Sequence, residues 1–271
     1  MAEITAKLVN DLRAKTGQGM MECKKMLTEA GGDLDKAVDL FRKKGVKASL
    51  AERAASEGRV FGARSADGKS ASLVEINCNT DFTARSEPVL QLGTKAANIL
   101  LQNPNANVAD AIASDLTSVA QKTGENIRLG KTAVLSNSGG KAGLYIYSIS
   151  AKIGVLLSFS GNVANVNDDL VTDIGGHVAF ARPLALNRES LPAALVAKEK
   201  EIAVEAAKAT GKPQQIAEKI AEGKMQAFYA ERTLLDQEFF NSQKFKGTIA
   251  QLLRSKGVNL EQYVRIEVGQ Q

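Results

Sequence analysis

Asp81 and Phe82 stand side by side where an alternating segment ends, in the run Asn77-Cys78-Asn79-Thr80-Asp81-Phe82-Thr83-Ala84-Arg85. Two readings of these residue types compete. Thr80 or Asp81 carries the short, oxygen-bearing side chain that caps a helix, and Phe82 behind such a cap is then a core anchor. Local physics alone favours that reading. The other needs Phe82 to point outward from a rigid strand end, where an aromatic ring can wedge into a partner's pocket and dominate the energy of an interface. Neither reading involves making or breaking a covalent bond.

Groups that could do bond chemistry are scattered. Residues 124–132 read Gly-Glu-Asn-Ile-Arg-Leu-Gly-Lys-Thr, but five residues separate Gly124 from Gly130, whereas the phosphate-cradling G-x-x-x-x-G-K-[ST] loop has four. The stretch also leads into a strand instead of opening a helix, so nucleotide binding by the chain itself is not expected. His177, the single histidine, has no serine or cysteine nucleophile near it in sequence and reads as a polar residue packed near the core. Asp168 and Asp169 fall at a helix start, where acids complement the helix dipole. Cys23 and Cys78 lie far apart and outside any C-x-x-C spacing, which indicates neither a disulfide framework nor a zinc site. No nucleophile, base and oxyanion donor come together, so no enzyme activity, cofactor or metal site is expected.

The elements that must position the Asp-Phe turn follow from periodicity and punctuation. Residues 1–44 read as three short helices: Ile4, Leu8 and Leu12 mark the first, Met20 starts the second, and Leu34, Ala37, Val38 and Phe41 mark the third. Gly31-Gly32 breaks the chain before Asp33, a suitable N-cap. Residues 42–53 hold five basic residues against Glu52 and read equally as a linker or as a solvated helix extension. Strands are expected at 59–62 and 71–78, with Leu73, Glu75 and Asn77 on one face and Val74, Ile76 and Cys78 on the other. Helices are expected at about 88–101 and 109–122. A β-hairpin is expected from 132–135, the Gly139-Gly140 turn and 143–147, followed by a strand at 153–159, a helix over 165–181 and an edge strand at 263–268. Residues 190–228 are rich in alanine, lysine and glutamate and read as a helical hairpin turning at Thr210-Gly211-Lys212-Pro213. Its expected seam is Ile202, Ala206 and Ala209 against Ile216, Ile220 and Gly223, thin enough for the hairpin to project as an interaction arm.

The fold class is therefore α+β: an N-terminal helical module and linker over 1–55, a first core half over 56–140, and a second core half over 141–271 carrying the hairpin insertion. The 271 residues, 44% hydrophobic and 24% charged, match an ordinary globular chain. No apolar run approaches the ~18 residues of a membrane span and no leader opens the chain, so a cytoplasmic location with no membrane partner is expected. Net charge of +5 and a pI near 9.1 admit either an acidic protein or a nucleic acid as partner. Aromatic residues are only 5% and none interleave with basic residues into a stacking platform, which weighs against direct nucleic-acid binding.

Several segments, in one order, carry a resemblance to the bacterial elongation factor Ts family. Leu12-Arg13-Ala14-Lys15-Thr16-Gly17-Gln18-Gly19-Met20-Met21-Glu22-Cys23-Lys24-Lys25-Met26-Leu27 is similar to its N-terminal signature, and Glu75 through Arg85 to its second signature. Gly124-Glu125-Asn126-Ile127, Lys152-Ile153-Gly154-Val155 and Arg265-Ile266-Glu267-Val268-Gly269 extend the likeness over nearly the whole chain. The resemblance implies a ubiquitin-associated-like three-helix module, a two-part core with antiparallel sheets, and a helical-hairpin insertion that leaves self-association open. It implies a guanine nucleotide exchange factor: the chain would bind elongation factor Tu carrying GDP, disturb its magnesium site, and release GDP so that GTP can bind. By the same resemblance Asp81 and Phe82, framed by Thr80 and Thr83, enter between helices of the partner's GTP-binding domain. Thr123 and Gly124 add a neighbouring contact, Met20 and Met21 touch the same domain, and the second core half reaches another domain of the partner. Three positions depart from the family pattern: Asn79 replaces Gln or Glu, Thr83 replaces Val, and Ile149 replaces a histidine. Many relatives continue past the counterpart of Gly269 into a further docking helix, so one contact fewer is expected here.

Overall fold

The computed structural model describes residues 4–16, 18–44, 54–209, 211 and 213–270. Residues 45–53 of the expected linker lie outside the described residues, as do Gly17, Thr210 and Lys212. The N-terminal module consists of α1 (Ala6–Thr16), α2 (Met20–Glu29) and α3 (Leu34–Lys44). Leu12, Cys23, Leu27, Ala37 and Phe41 close its small core. Asp33 caps α3, its carboxylate accepting from the amides of Asp35 and Lys36 at 3.0 Å each.

The core is built from two three-stranded antiparallel sheets stacked face to face, with helices on both outer faces. The first sheet has the order β1 (Glu57–Arg64), β2 (Ser70–Cys78), β3 (Arg128–Ser136); the second has β4 (Lys141–Ile146), β5 (Ile153–Gly161), β6 (Val258–Glu267). Both central strands are buried on both faces, which is why β2 and β5 read as nearly continuous apolar runs. From β2, Leu73 points between the sheets with Val60 and Leu156, while Val74, Ile76 and Cys78 point at the helices. Gly154 lets the sheets approach: a Cβ there would come within 2.8 Å of Val60 and of Leu73.

Outside the first sheet lie α4 (Asp81–Ala84), α5 (Glu87–Gln102), α6 (Val108–Ala111) and α7 (Ala113–Thr123). The single helix expected over 109–122 is thus broken at Ile112, whose fully buried side chain belongs to the core between α5 and the sheet. Outside the second sheet lie α8 (Asp168–Ala181) and α11 (Ile249–Ser255). Between them project α9 (Ala193–Lys208) and α10 (Gln214–Arg232), the expected hairpin.

Two further expectations are corrected. The segments 132–135 and 143–147 do not form a hairpin: β3 pairs with β2 and β4 pairs with β5, so the Gly139-Gly140 turn carries the chain from one sheet to the other. Asn137 fixes that crossing by donating to Ser158 Oγ and to the carbonyl of Phe159, both at 3.0 Å. In the helical hairpin the seam is Ala203 and Ala207 against Ala217, Ala221 and Met225, with the expected Ile220 packed against it, while Ile202 and Ile216 remain exposed. Alanines permit the closest approach of the two axes, and Ile202 and Ile216 are left on the flanks.

One carboxylate sets the end of β2 relative to its neighbours. The pairing of β2 with β3 shifts register between Val74 and Ile76, leaving Gly130 and Lys131 opposite Glu75. Glu75, only 3% exposed, accepts the amide of Lys131 at 3.1 Å, that of Gly269 at 3.1 Å, and the side-chain amide of Asn77 at 2.7 Å. The bulge and the end of the chain after β6 are thereby tied to the strand that leads into the Asp-Phe turn.

Candidate functional site

Strand β2 ends in a helix cap, and the cap aims the next side chains outward. Thr80 is extended (φ −131°, ψ 153°), and its Oγ1 accepts the amide of Thr83 at 3.2 Å, starting the single turn α4. Ala84 fills the inward position of that turn, so Phe82 is turned away from the core and is 83% exposed. The core-anchor reading of Phe82 is therefore overturned, and the capping role of Thr80 stands. Asp81 lies in the first turn of α4 with Arg85 Nη2 at 3.6 Å; both side chains face solvent, and such a pair contributes at most about 1 kcal/mol. Beneath the turn, Cys78 donates its thiol proton to the carbonyl of Thr80 at 3.1 Å. Burial, with the charge of Glu125 adding to it, pushes that thiol up to about 11, so it is a packed group and not a nucleophile.

The turn is braced from the far end of α7. Gly124 ends that helix in the left-handed conformation (φ 69°, ψ 18°), which a side chain would strain, and its amide donates to Ala120. Thr123 Oγ1 donates to the carbonyl of Val119 at 2.9 Å and accepts the amide of Glu125 at 3.3 Å. The chain then reverses, and the Glu125 carboxylate accepts three hydrogen bonds from the end of β2. The amides of Asn79 and Thr80 donate to Oε2 at 3.0 and 3.1 Å, and the Thr80 hydroxyl donates to Oε1 at 2.7 Å. Asn79 completes the frame: its Oδ1 accepts the amide of Asn126 at 2.8 Å, and its Nδ2 donates to the carbonyl of Ala54 at 3.0 Å.

The start of α2 sits at this same end of the molecule. Gln18 Nε2 donates to the carbonyl of Gln121 at 3.3 Å, two residues before Thr123. Two residues after Gln18, Met20 and Met21 open α2 with side chains 52% and 78% exposed. The exposed thioethers, the Phe82 turn and the Thr123-Gly124 corner therefore belong to one end of the protein.

A second exposed apolar group lies on the other core half. Tyr147 and Phe180 meet edge to face at 5.1 Å between centroids, and one helical turn away Phe240 lies against His177 at 6.0 Å. Ile149 and Leu184 are exposed as well. His177 beneath is buried; its Nε2 faces Gln237 Oε1 at 2.9 Å, and the side-chain amide of Gln237 donates to the carbonyl of Glu231 at 2.7 Å. That chain of bonds fixes Gln237 Oε1 as acceptor and His177 Nε2 as donor. Burial pushes the imidazole below 6.5, against the smaller upward pull of Gln237, so it is neutral at pH 7.

Sequence reasoning missed Glu125 as the brace, Phe180 and Phe240 as surface groups, and Glu75 as the bulge clamp. Glu125 lies 45 and 46 residues from Thr80 and Asn79, beyond any local pattern. Among the described residues no cluster of three His, Cys, Asp or Glu side chains could hold a metal ion. No helix among them is long and apolar enough to cross a membrane.

The family model described as Elongation factor TS matches residues 79–270. The Elongation factor Ts of Methylococcus capsulatus is 39% identical, with 98% of this chain and 92% of that protein covered. Those of Aromatoleum aromaticum and Thiobacillus denitrificans are 41% and 40% identical, each with all of this chain covered and 92% and 93% of the relative.

Proposed function

The chain belongs to the elongation factor Ts family of translation elongation factors, and from that premise we propose that it is the guanine nucleotide exchange factor of elongation factor Tu. In this reading the chain binds elongation factor Tu carrying GDP, inserts Asp81 and Phe82 between helices of the GTP-binding domain, and disturbs the magnesium site. Magnesium bridges the nucleotide's phosphates to the GTPase, so loss of its ligands weakens GDP. Met20, Met21, Thr123 and Gly124 extend the same contact, and the group around Tyr147, Phe180 and Ile149 meets a second domain of the partner.

The observation that carries the reading is a large aromatic ring held outward on a braced turn. Phe82 is exposed while the backbone on its N-terminal side is fixed by Glu125. An anchor ordered before binding loses little conformational entropy on docking. Exchange then needs no covalent step. A factor that binds the empty GTPase more tightly than the GDP-bound one must weaken GDP by the same ratio, because the coupling free energy is reciprocal. Burying a phenylalanine contributes about 1.5 to 3 kcal/mol, which accounts for part of a large acceleration and requires the neighbouring contacts for the rest.

The test is release of a fluorescent GDP analogue from elongation factor Tu on addition of this protein. Acceleration that saturates with the factor's concentration supports the reading, and an unchanged rate at saturating factor refutes it.

A further inference from the structure

We propose that Glu125 is a positioning residue for nucleotide exchange, acting through the orientation of Phe82; the inference rests on the exchange reading above. One carboxylate accepts the amides of Asn79 and Thr80 and the hydroxyl of Thr80. Its own backbone is held by Thr123 Oγ1, and the next amide, that of Asn126, is held by Asn79. The end of β2 and the corner after α7 therefore form one body.

Phe82 depends on that body. Its ring has little packing of its own, and α4 is a single turn of four residues, which has no stability in isolation. Ala84 and Ser86 fix the C-terminal side of the turn, Ala84 by burial and Ser86 by donating its hydroxyl to the carbonyl of Thr83 at 2.7 Å. On the N-terminal side the fixed points are Thr80 and Asn79, and both are held by Glu125. Without the carboxylate, two amides and a hydroxyl must find water, and the segment ahead of Phe82 gains freedom that binding would have to remove. The geometry also separates the two possible replacements. Alanine removes every acceptor. Glutamine keeps one oxygen for the amide pair, and its NH2 can donate to the Thr80 hydroxyl, which turns to accept; the charge is lost, so the brace is weakened but not removed.

The experiment is a double-mutant cycle in the 271-residue chain: wild type, Glu125→Ala, Phe82→Ala and the double variant, with Glu125→Gln alongside. The GDP-release rate at saturating factor, the half-saturating concentration and the unfolding temperature are measured for each. Glu125→Ala is expected to lower the saturating rate about 10-fold, the scale of one residue's backbone ordering. In the Phe82→Ala background the same change should cost less than about 2-fold, since coupled positions are not additive. Glu125→Gln should fall between wild type and Glu125→Ala. Independent, multiplying effects in the cycle overturn the proposal, as does an unaltered rate in Glu125→Ala. If Glu125→Ala does not fold, Glu125→Gln combined with Phe82→Ala gives the same decision. A wild-type chain that leaves GDP release unaccelerated overturns the exchange reading itself, whereas an active wild type with multiplying effects overturns only the positioning role.

Discussion

The hydroxyl of Thr80 donates to Glu125 at 2.7 Å across 45 positions of sequence, and this bond helps to join the turn that carries Phe82 to the helix end that carries Thr123 and Gly124. Thr80 works in both directions, since its oxygen also accepts the amide of Thr83. A residue that looks like an ordinary helix cap is thus the hinge pin of an exposed aromatic ring.

Phe82→Ala is expected to slow GDP release about 10- to 100-fold, the range given by burying one phenylalanine at the partner. Because the ring is exposed in the free protein, the unfolding temperature should stay within about 2 °C of wild type. A rate unchanged by this variant would contradict the wedge role.

Leu73→Ala removes a fully buried side chain from between the sheets, where Val60, Leu156 and Gly154 surround it. Chemical denaturation should report a loss of about 2 to 5 kcal/mol. A loss below about 1 kcal/mol would mean that the two sheets do not share this layer.

Glu75→Ala should leave the bulge amide of Lys131 and the amide of Gly269 without their shared acceptor. Each orphaned group costs about 1 to 3 kcal/mol where it cannot reach water. Hydrogen exchange should show both amides losing protection together, while the Asn79 and Thr80 amides, held by Glu125, keep theirs. Simultaneous loss at all four sites would show that Glu75 and Glu125 are not separate braces.

His177 gives a pH dependence with a fixed sign. Its folded value lies below the ordinary 6.5 because burial disfavours the imidazolium, so below pH 6.5 the unfolded chain binds the proton more readily than the folded one. Stability contributed by the neutral imidazole is present above pH 6.5 and is lost as pH falls below it. Wild type should therefore lose more unfolding temperature between pH 7.5 and 5.5 than His177→Gln does. Equal losses in the two proteins would remove His177 as the cause.

What the sequence disclosed and what it concealed divide along range. The strands around Val74 and Val155, the cap at Asp33 and the arms of the helical hairpin depend on neighbours a few residues away, and periodicity exposes them. The pairing of β3 and β4 does not: the Gly139-Gly140 turn looks like a hairpin, and only stacking of the sheets sends each strand to a different partner. The hairpin seam slipped for a related reason, because closeness of approach selected Ala203, Ala207, Ala217 and Ala221 over Ile202 and Ile216, and only Ile220 of the expected isoleucines packs against it. At the site, local physics favoured a buried Phe82; Ala84 takes the inward place, and the brace that holds the ring outward comes from a carboxylate in another segment. Glu125 was visible only as part of a family signature, with nothing nearby to reveal what it accepts.

The central claim is a preference for the empty form of the GTPase, and titration calorimetry measures it directly. Binding to nucleotide-free elongation factor Tu and to the GDP-bound form would be compared at one temperature and one magnesium concentration. Tighter binding to the empty form by at least about 10-fold is expected, within the usual scale of coupling between sites. Equal affinity for the two forms would contradict it.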